Sequence, residues 1–281
     1  MQITDLFIYP FKSARGIALP QARIDAMGLS GDRRMMLVDP SGHFITQREL
    51  PELARLTALP AAAYLTLRLD DGREMMVAPP QPDHRMDVAI WRSIVSAAVA
   101  HDSINDKLSE WFGRPVKLVF IDGESRRAAS AEWAGENSPM GFADGYQILV
   151  TTTGSLRALN EDMARHGEGS VGMDRFRPNI VVDCDEAWAE DIWTGLEIGG
   201  IRFDFVKPCP RCIMTSQDQQ TGSREAASPM PAMGRLRMSA DRRVPGVLFG
   251  WNAVPRGEGL VRVGDAVTVL GNRESWAIKQ R

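Results

Sequence analysis

The chain has 281 residues, with 33 Lys plus Arg against 36 Asp plus Glu and a net charge of −3. With 44% hydrophobic and 25% charged residues it has a globular composition, which excludes disorder as its main state. The near-neutral balance and a pI of about 5.9 exclude a general attraction to nucleic acid or anionic lipid. At roughly 100–200 residues per domain, the length fits one large domain or two small ones. The first sixteen residues lack the basic and then continuously apolar pattern of a secretory signal, and no apolar run reaches the roughly 18 residues of a membrane span. These features lead to the expectation of a soluble, cytoplasmic protein with no membrane and no nucleic-acid partner.

The N-terminal part reads as strands. Thr4 to Tyr9 is β-rich and stopped by Pro10, and Gly16 to Met27 is extended. Arg34 to Val38 and His43 to Gln47 flank the turn Asp39-Pro40-Ser41-Gly42. Tyr64 to Leu69 and Glu74 to Val77 flank Asp70-Asp71-Gly72, a second hairpin. Asp102 or Ser103 is placed to cap a helix with Ile104, Leu108 and Trp111 on one face, ended by Gly113. The small, polar stretch around Asp122 to Asn137 is the softest boundary.

Strands return at Gln147 to Thr151, Asn179 to Asp183 and Gly200 to Val206. Between the first two, Ser155 is placed to cap a helix carrying Leu156, Leu159 and Met163 and ended by Gly167. Leu260 to Leu270 reads as two short strands joined at Gly264-Asp265. Helices are few among many strands and no regular βαβ repetition is present. The fold class is therefore α+β and β-dominated, of barrel or curved antiparallel sheet.

Three cysteines are too few for a secreted disulfide framework in a chain this long. Cys209-Pro210-Arg211-Cys212 has three readings. A zinc site needs two more ligands, and Cys184, His43, His84, His101 and His166 form no paired motif. A dithiol redox centre normally opens a helix, whereas Pro208 and Pro210 flank Cys209 and Ile213-Met214 reads as extended. The third reading is a single thiolate on a soft or redox metal whose other ligands come from a cofactor.

Other positions suit an anion. Lys12-Ser13 lies in a turn after a strand, Arg33 opens the next strand, and Arg177-Pro178-Asn179 leads into an apolar one. Thr151 to Ser155 runs into a helix N-terminus, where free N–H groups and the helix dipole favour negative charge. No GxxxxGK, GxSxG or HExxH pattern is present, so nucleoside triphosphate, hydrolase-elbow and zincin chemistry lack support. Singly, each of these positions is better explained by a cap, a turn or a surface charge.

Together the motifs resemble a family. Tyr9-Pro10-Phe11-Lys12-Ser13, Phe176-Arg177-Pro178-Asn179-Ile180-Val181, Cys209-Pro210-Arg211-Cys212-Ile213-Met214-Thr215, Gln217-Asp218-Gln219-Gln220-Thr221-Gly222 and Val247-Leu248-Phe249-Gly250-Trp251-Asn252, followed by Val263-Gly264-Asp265, are similar to MOSC proteins with a MOSC N-terminal β-barrel domain. That group includes the mitochondrial amidoxime-reducing components and bacterial relatives. The resemblance implies an N-terminal β-barrel-like domain, 1–122, packed on a MOSC-type β-barrel with a few helices, 123–281.

It also implies a molybdenum cofactor, molybdenum held by molybdopterin and one protein cysteine. Aligned on Arg-Cys-Ile, the metal ligand and catalytic cysteine falls on Cys212, with Cys209 beside it. Lys12, Ser13, Arg33, Thr152, Ser155, Arg177, Asn179 and Thr215 match cofactor contacts, and Asp218 is the candidate proton donor. The implied reaction is two-electron reduction of small N-hydroxylated compounds to amines or amidines. The chain stops at Arg281 with three cysteines, so no fused 2Fe–2S domain is expected. Electrons would then come from a separate ferredoxin-like or flavin-dependent reductase. The alternative is a carrier holding a persulfide or the molybdenum cofactor on Cys212; pyridoxal phosphate chemistry is not expected in a chain this short. The Ser223 to Val244 segment and N-terminal barrel loops are expected to rim the pocket.

Overall fold

A computed structural model describes residues 1–60 and 64–279; the terminus at Arg281 lies outside them. The largest unit is an eight-stranded sheet in the order Val267–Asn272, Trp193–Ile198, Ile201–Pro210, Leu248–Pro255, Ile148–Thr152, Ile180–Val182, Ile3–Ile8, Ile17–Leu19. Its neighbours are antiparallel except Ile148–Thr152 with Ile180–Val182, which run parallel and need a crossover. The helix Thr153–Arg165 supplies it. The second half of the chain provides six of these strands and the N-terminus two. The hydrogen-bonded sheet therefore crosses the boundary expected near residue 122. Gly259–Arg262 likewise pairs with Gln21–Asp25.

Three smaller sheets complete the β-dominated architecture. One contains Met35–Val38, Lys117–Phe120, Ser93–Val99 and Arg85–Ile90. Another is the meander Leu56–Pro60, Leu65–Leu69 and Glu74–Val77. Alternation sets the inward faces: in Leu65–Leu69, Leu65, Leu67 and Leu69 are buried and Arg68 is exposed. The helix Asp102–Phe112 packs Leu108 and Trp111 on the same core.

Four local expectations are corrected. Helix Asp102–Phe112 is capped by His101, whose ring nitrogen accepts from Ser103 N, one residue before the expected cap. Helix Thr153–Arg165 is capped by Thr152, whose hydroxyl accepts from Ser155 N. His43 and Phe44 make only isolated bridges, to Ala89 and Val38, so no strand forms there. The strands Gly259–Arg262 and Val267–Asn272 do not pair with each other; they join Gln21–Asp25 and Trp193–Ile198. Each of their ladders was set by a distant strand edge, which local turn chemistry at Gly264 could not select.

Strand Ile201–Pro210 positions the site. Its ladder to Leu248–Pro255 shifts register between Phe205 and Lys207 and again between Pro208 and Pro210. Proline has no N–H for a ladder, so Pro208 and Pro210 belong at such irregularities. Asn252 Nδ2 donates to Lys207 O at 3.2 Å and fixes the distorted end.

Candidate active site

The strand ends, the Lys12 turn and the loop 143–146 enclose a cleft of about 310 Å³, within the size range of small-molecule sites. Its lining brings together Lys12, Ser13, Arg33, Arg177, Asn179, Cys209 and Cys212, from four separated motifs. Arg48, Lys207 and Arg211 add three cations, and Asp144 is the carboxylate in the lining. Six cations around one carboxylate give this cleft a positive lining, of the sign that attracts an anion.

Backbone strain concentrates here. Six non-glycine residues among those described have left-handed backbones, and Ser13 (φ 66°), Arg33 (φ 46°) and Arg177 (φ 52°) line the cleft. Such conformations persist only where the surroundings enforce them. Lys12 N donates to Met35 O at 2.8 Å, Arg33 N to Tyr9 O at 2.8 Å and Phe142 N to Arg33 O at 2.7 Å. At Gly141 an added Cβ would lie 2.6 Å from Arg33 O, so only glycine lets loop and turn approach this closely.

Lys12 is 5% exposed; its Nζ donates to Phe142 O at 2.9 Å and pairs closely with Asp144. Burial pulls the Lys12 ammonium below its ordinary pKa, partly offset by Asp144. Asp144 Oδ1 also accepts from Trp91 Nε1 at 3.0 Å. The Arg33 and Arg177 guanidinium carbons lie 4.1 and 4.2 Å from the centre of the Tyr9 ring. Burial, with the Arg33 charge beside it, pulls Arg177 down to about 10. Asn179 Oδ1 accepts from Leu149 N at 3.1 Å and Arg33 Nη1 at 3.3 Å, so it pins the strand to the arginine.

The cysteines occupy different settings. Cys209 is half-buried at the strand end, and Arg211 Nη1 donates to its Sγ at 2.9 Å. Cys212 is exposed and begins the 3-10 turn Ile213–Ser216. Ile213-Met214 is thus helical rather than extended, because Thr215 N and Oγ1 both donate to Cys212 O, at 3.2 and 3.1 Å. Arg175, buried beneath the turn, donates to Thr215 O at 3.0 Å. Arg211 Nη2 donates to Phe176 O, and its buried Nε–H has no partner among the described residues. Among the described residues no three His, Cys, Asp or Glu side chains assemble as a metal cluster, so the zinc reading finds no ligand set.

Four expected site residues do not line the cleft. Thr152 and Ser155 are buried, and both hydroxyls donate to Glu190 Oε2 at 2.8 Å. Their oxygens are consumed in tying the helix start to the segment at Glu190. Thr215 is fully buried and acts on the cysteine turn through the backbone. Asp218 accepts from Gln220 N, Thr221 N and Thr221 Oγ1 at 2.9, 2.8 and 3.0 Å. Partial burial pushes its pKa up, but these bonds win and hold it below the ordinary carboxylate range, a poor proton donor. Ser223 to Val244 contributes nothing to the cleft wall, which Thr46, Arg48 and Ala143 to Tyr146 form instead.

Sequence reasoning missed Tyr9, Asp144, Tyr146 and Arg211 as parts of this site. Tyr146 lines the cleft and burial pushes its phenol up to about 12. Arg211, between the two cysteines, and Tyr9, at the head of the first motif, carried local signals; Asp144 and Tyr146 carried none.

The Glu190 network makes a stability prediction. Burial raises the Glu190 pKa, against the pull of the Ser155 and Thr152 hydroxyls. A raised carboxyl contributes stability that is complete below its unfolded pKa and is lost as pH rises through the folded one. Glu190→Gln is therefore expected to raise the melting temperature by about 2–4 °C at pH 7, for roughly 1 kcal/mol, and not at pH 4. Thermal unfolding at both pH values decides; equal shifts would overturn the assignment.

A MOSC N-terminal β-barrel domain matches residues 1–115, and a MOSC domain matches residues 137–268. The chain is 29% identical to human (Homo sapiens) mitochondrial amidoxime reducing component 2, over 94% of this chain and 82% of that protein. It is 28% identical to human component 1, over 96% and 83%. It is 25% identical to component 1 of Danio rerio, over 94% and 83%.

Proposed function

This chain belongs to the MOSC family whose members carry the MOSC N-terminal β-barrel domain, and from that premise we propose that it is a molybdenum-cofactor-dependent reductase of small N-hydroxylated compounds. The observation that carries the reading is the cleft itself, where an exposed thiol shares the lining with the buried Lys12, four half-buried arginines and the half-buried Lys207, from distant motifs. The relatives' names, amidoxime-reducing components, support the substrate class.

The residues fit the group. Arg211 leaves a buried guanidinium N–H without an acceptor, and Arg33 and Arg177 crowd two cations that an anion would relieve. Lys12, Ser13, Arg33, Arg177 and Asn179 would hold the phosphate and pterin end, and Cys212 Sγ would ligate the metal. When bound, the molybdenum cofactor would supply two-electron, oxygen-atom-transfer chemistry.

The net reaction converts N–OH to N–H and water, with two electrons and two protons taken up. The electrons would come from a separate ferredoxin-like or flavin-dependent protein. The protons need titratable groups in the cleft. Asp218 is outside it, whereas Lys12 and Asp144 lie within and share a hydrogen bond. Lys12 Nζ, with its pKa lowered by burial, is the group placed to hold and release a proton there. Arg211 orients Cys209, and the Thr215 bonds keep Cys212 at the start of its turn.

The test is metal and pterin analysis of protein made in a host that synthesises molybdenum cofactor, with an amidoxime reduction assay using reduced viologen. Near-stoichiometric molybdenum and amidine formation are expected. Zinc or no metal, with no pterin and no turnover, would overturn the proposal.

A further inference from the structure

We propose that Tyr9 is a positioning residue for the anion end of this cleft, its ring serving as the shared partner that lets Arg33 and Arg177 grip one phosphate group. The inference rests on the proposed function for its ligand and on geometry alone for the role of the ring.

Tyr9 is 3% exposed and follows strand Ile3–Ile8, immediately before Pro10. Both of its backbone groups are engaged: Tyr9 N donates to Asp32 Oδ1 at 2.7 Å, and Tyr9 O accepts from Arg33 N at 2.8 Å. The ring position is equally constrained, because a Cβ at Gly16 would lie 2.5 Å from it. Over this fixed ring sit two guanidinium carbons, at 4.1 and 4.2 Å from its centre. Two cations held against one small group repel each other, and an apolar side chain would offer nothing in return. The negative face of an aromatic ring attracts both.

The remaining tethers hold each arginine along one edge. Arg33 Nη1 is bonded to Asp32, and Arg33 Nη2 donates to Arg177 O at 3.2 Å. Arg177 Nη1 donates to Gln219 Oε1 at 3.0 Å. The ring supplies what these bonds do not, one aromatic surface in contact with both guanidinia. Both arginines that meet it have left-handed backbones, at φ 46° for Arg33 and 52° for Arg177.

The experiment uses the full chain made without molybdopterin, titrated with inorganic phosphate by calorimetry. The proteins are the parent, Tyr9→Phe, Tyr9→Leu and a chain with trifluorophenylalanine incorporated at position 9. Molybdopterin content is measured in the same set made in a cofactor-producing host. Tyr9→Phe keeps the ring and is expected to bind phosphate within about threefold of the parent. Tyr9→Leu and the fluorinated ring, which weaken or remove the negative face, are expected to lose about tenfold and to retain less molybdopterin. The fluorinated chain keeps the ring's shape, so it stands as the test even if Tyr9→Leu does not fold. A role in packing alone would lower the melting temperature of Tyr9→Leu without moving phosphate affinity in the fluorinated chain, and that result overturns the proposal. If the parent itself binds no phosphate, the anion site fails and the role of Tyr9 fails with it.

Discussion

Cys212→Ser is expected to reduce amidoxime turnover more than ~100-fold while leaving the fold intact, since even partners beyond the direct ligands of a metal typically cost 10–100-fold when removed. Cys212 is exposed, contributes little to the core, and sits at the first position of the Ile213–Ser216 turn. The turn is held by Thr215 N and Oγ1 donating to the backbone oxygen of residue 212, which serine retains. The melting temperature should therefore stay close to that of the parent. Cys209→Ser, in contrast, removes a sulfur that accepts from Arg211 Nη1 but leaves Cys212 in place. A smaller loss is expected there. Metal content and turnover measured side by side separate the two roles. If Cys212→Ser keeps both, Cys212 is not the ligand; if Cys209→Ser is the more damaging change, the assignment of the two cysteines is reversed.

Asp191→Leu should cost about 3–5 kcal/mol of stability, the range for removing one partner of a buried ion pair. Asp191 Oδ2 accepts from Arg237 Nη2 at 2.6 Å with both side chains about 5% exposed or less. Its Oδ1 accepts from Trp251 Nε1 at 3.0 Å. Leucine would leave a buried guanidinium without a counter-charge and an indole N–H without an acceptor. Asp191→Leu combined with Arg237→Met should recover most of the loss, because the cost lies in the stranded charge rather than in the missing attraction. Urea unfolding of the single and double variants checks this. A single variant within 1 kcal/mol of the parent would show that Arg237 finds another partner. Trp251 adjoins Asn252 of the cleft wall in strand Leu248–Pro255, so the network also braces the strand that borders the site.

Under the proposed function, the cations of the cleft would link affinity for an anion to cost to the fold. Burial, helped by neighbouring cations, lowers the pKa of Lys12 and of Arg177. Each is kept in place by contacts that do not fully compensate, Asp144 for the lysine, and the Tyr9 ring and Gln219 for the arginine. A bound phosphate would complete the balance, a general way in which sites store unfavourable charge against their ligand.

What could be read along the chain was whatever depends on neighbours a few residues apart. The hairpin at Asp70-Asp71-Gly72 appears as strands Leu65–Leu69 and Glu74–Val77, because turn chemistry and alternation are local. The apolar faces of the helices Asp102–Phe112 and Thr153–Arg165 were likewise legible from spacing. So were Lys12, Ser13, Arg33, Arg177, Asn179, Cys209 and Cys212 as members of motifs, all of which line one cleft.

The tertiary structure alone decided which polar atoms were free. Thr152 and Ser155 look like an anion-binding helix start until Glu190, 35 or more residues away in sequence, takes both hydroxyls. Asp218 resembles a proton donor until three bonds of its own turn engage its carboxylate and lower its pKa. Tyr9 stands in a motif but with no role attached, and Asp144 stands in none; their roles arise only where Arg33, Arg177, Lys12 and Trp91 arrive from other elements. Residue type and spacing state what a side chain is able to do. Which of those capacities is left over for a ligand depends on long-range pairing, because a hydrogen-bonding atom already satisfied inside the fold has nothing more to give.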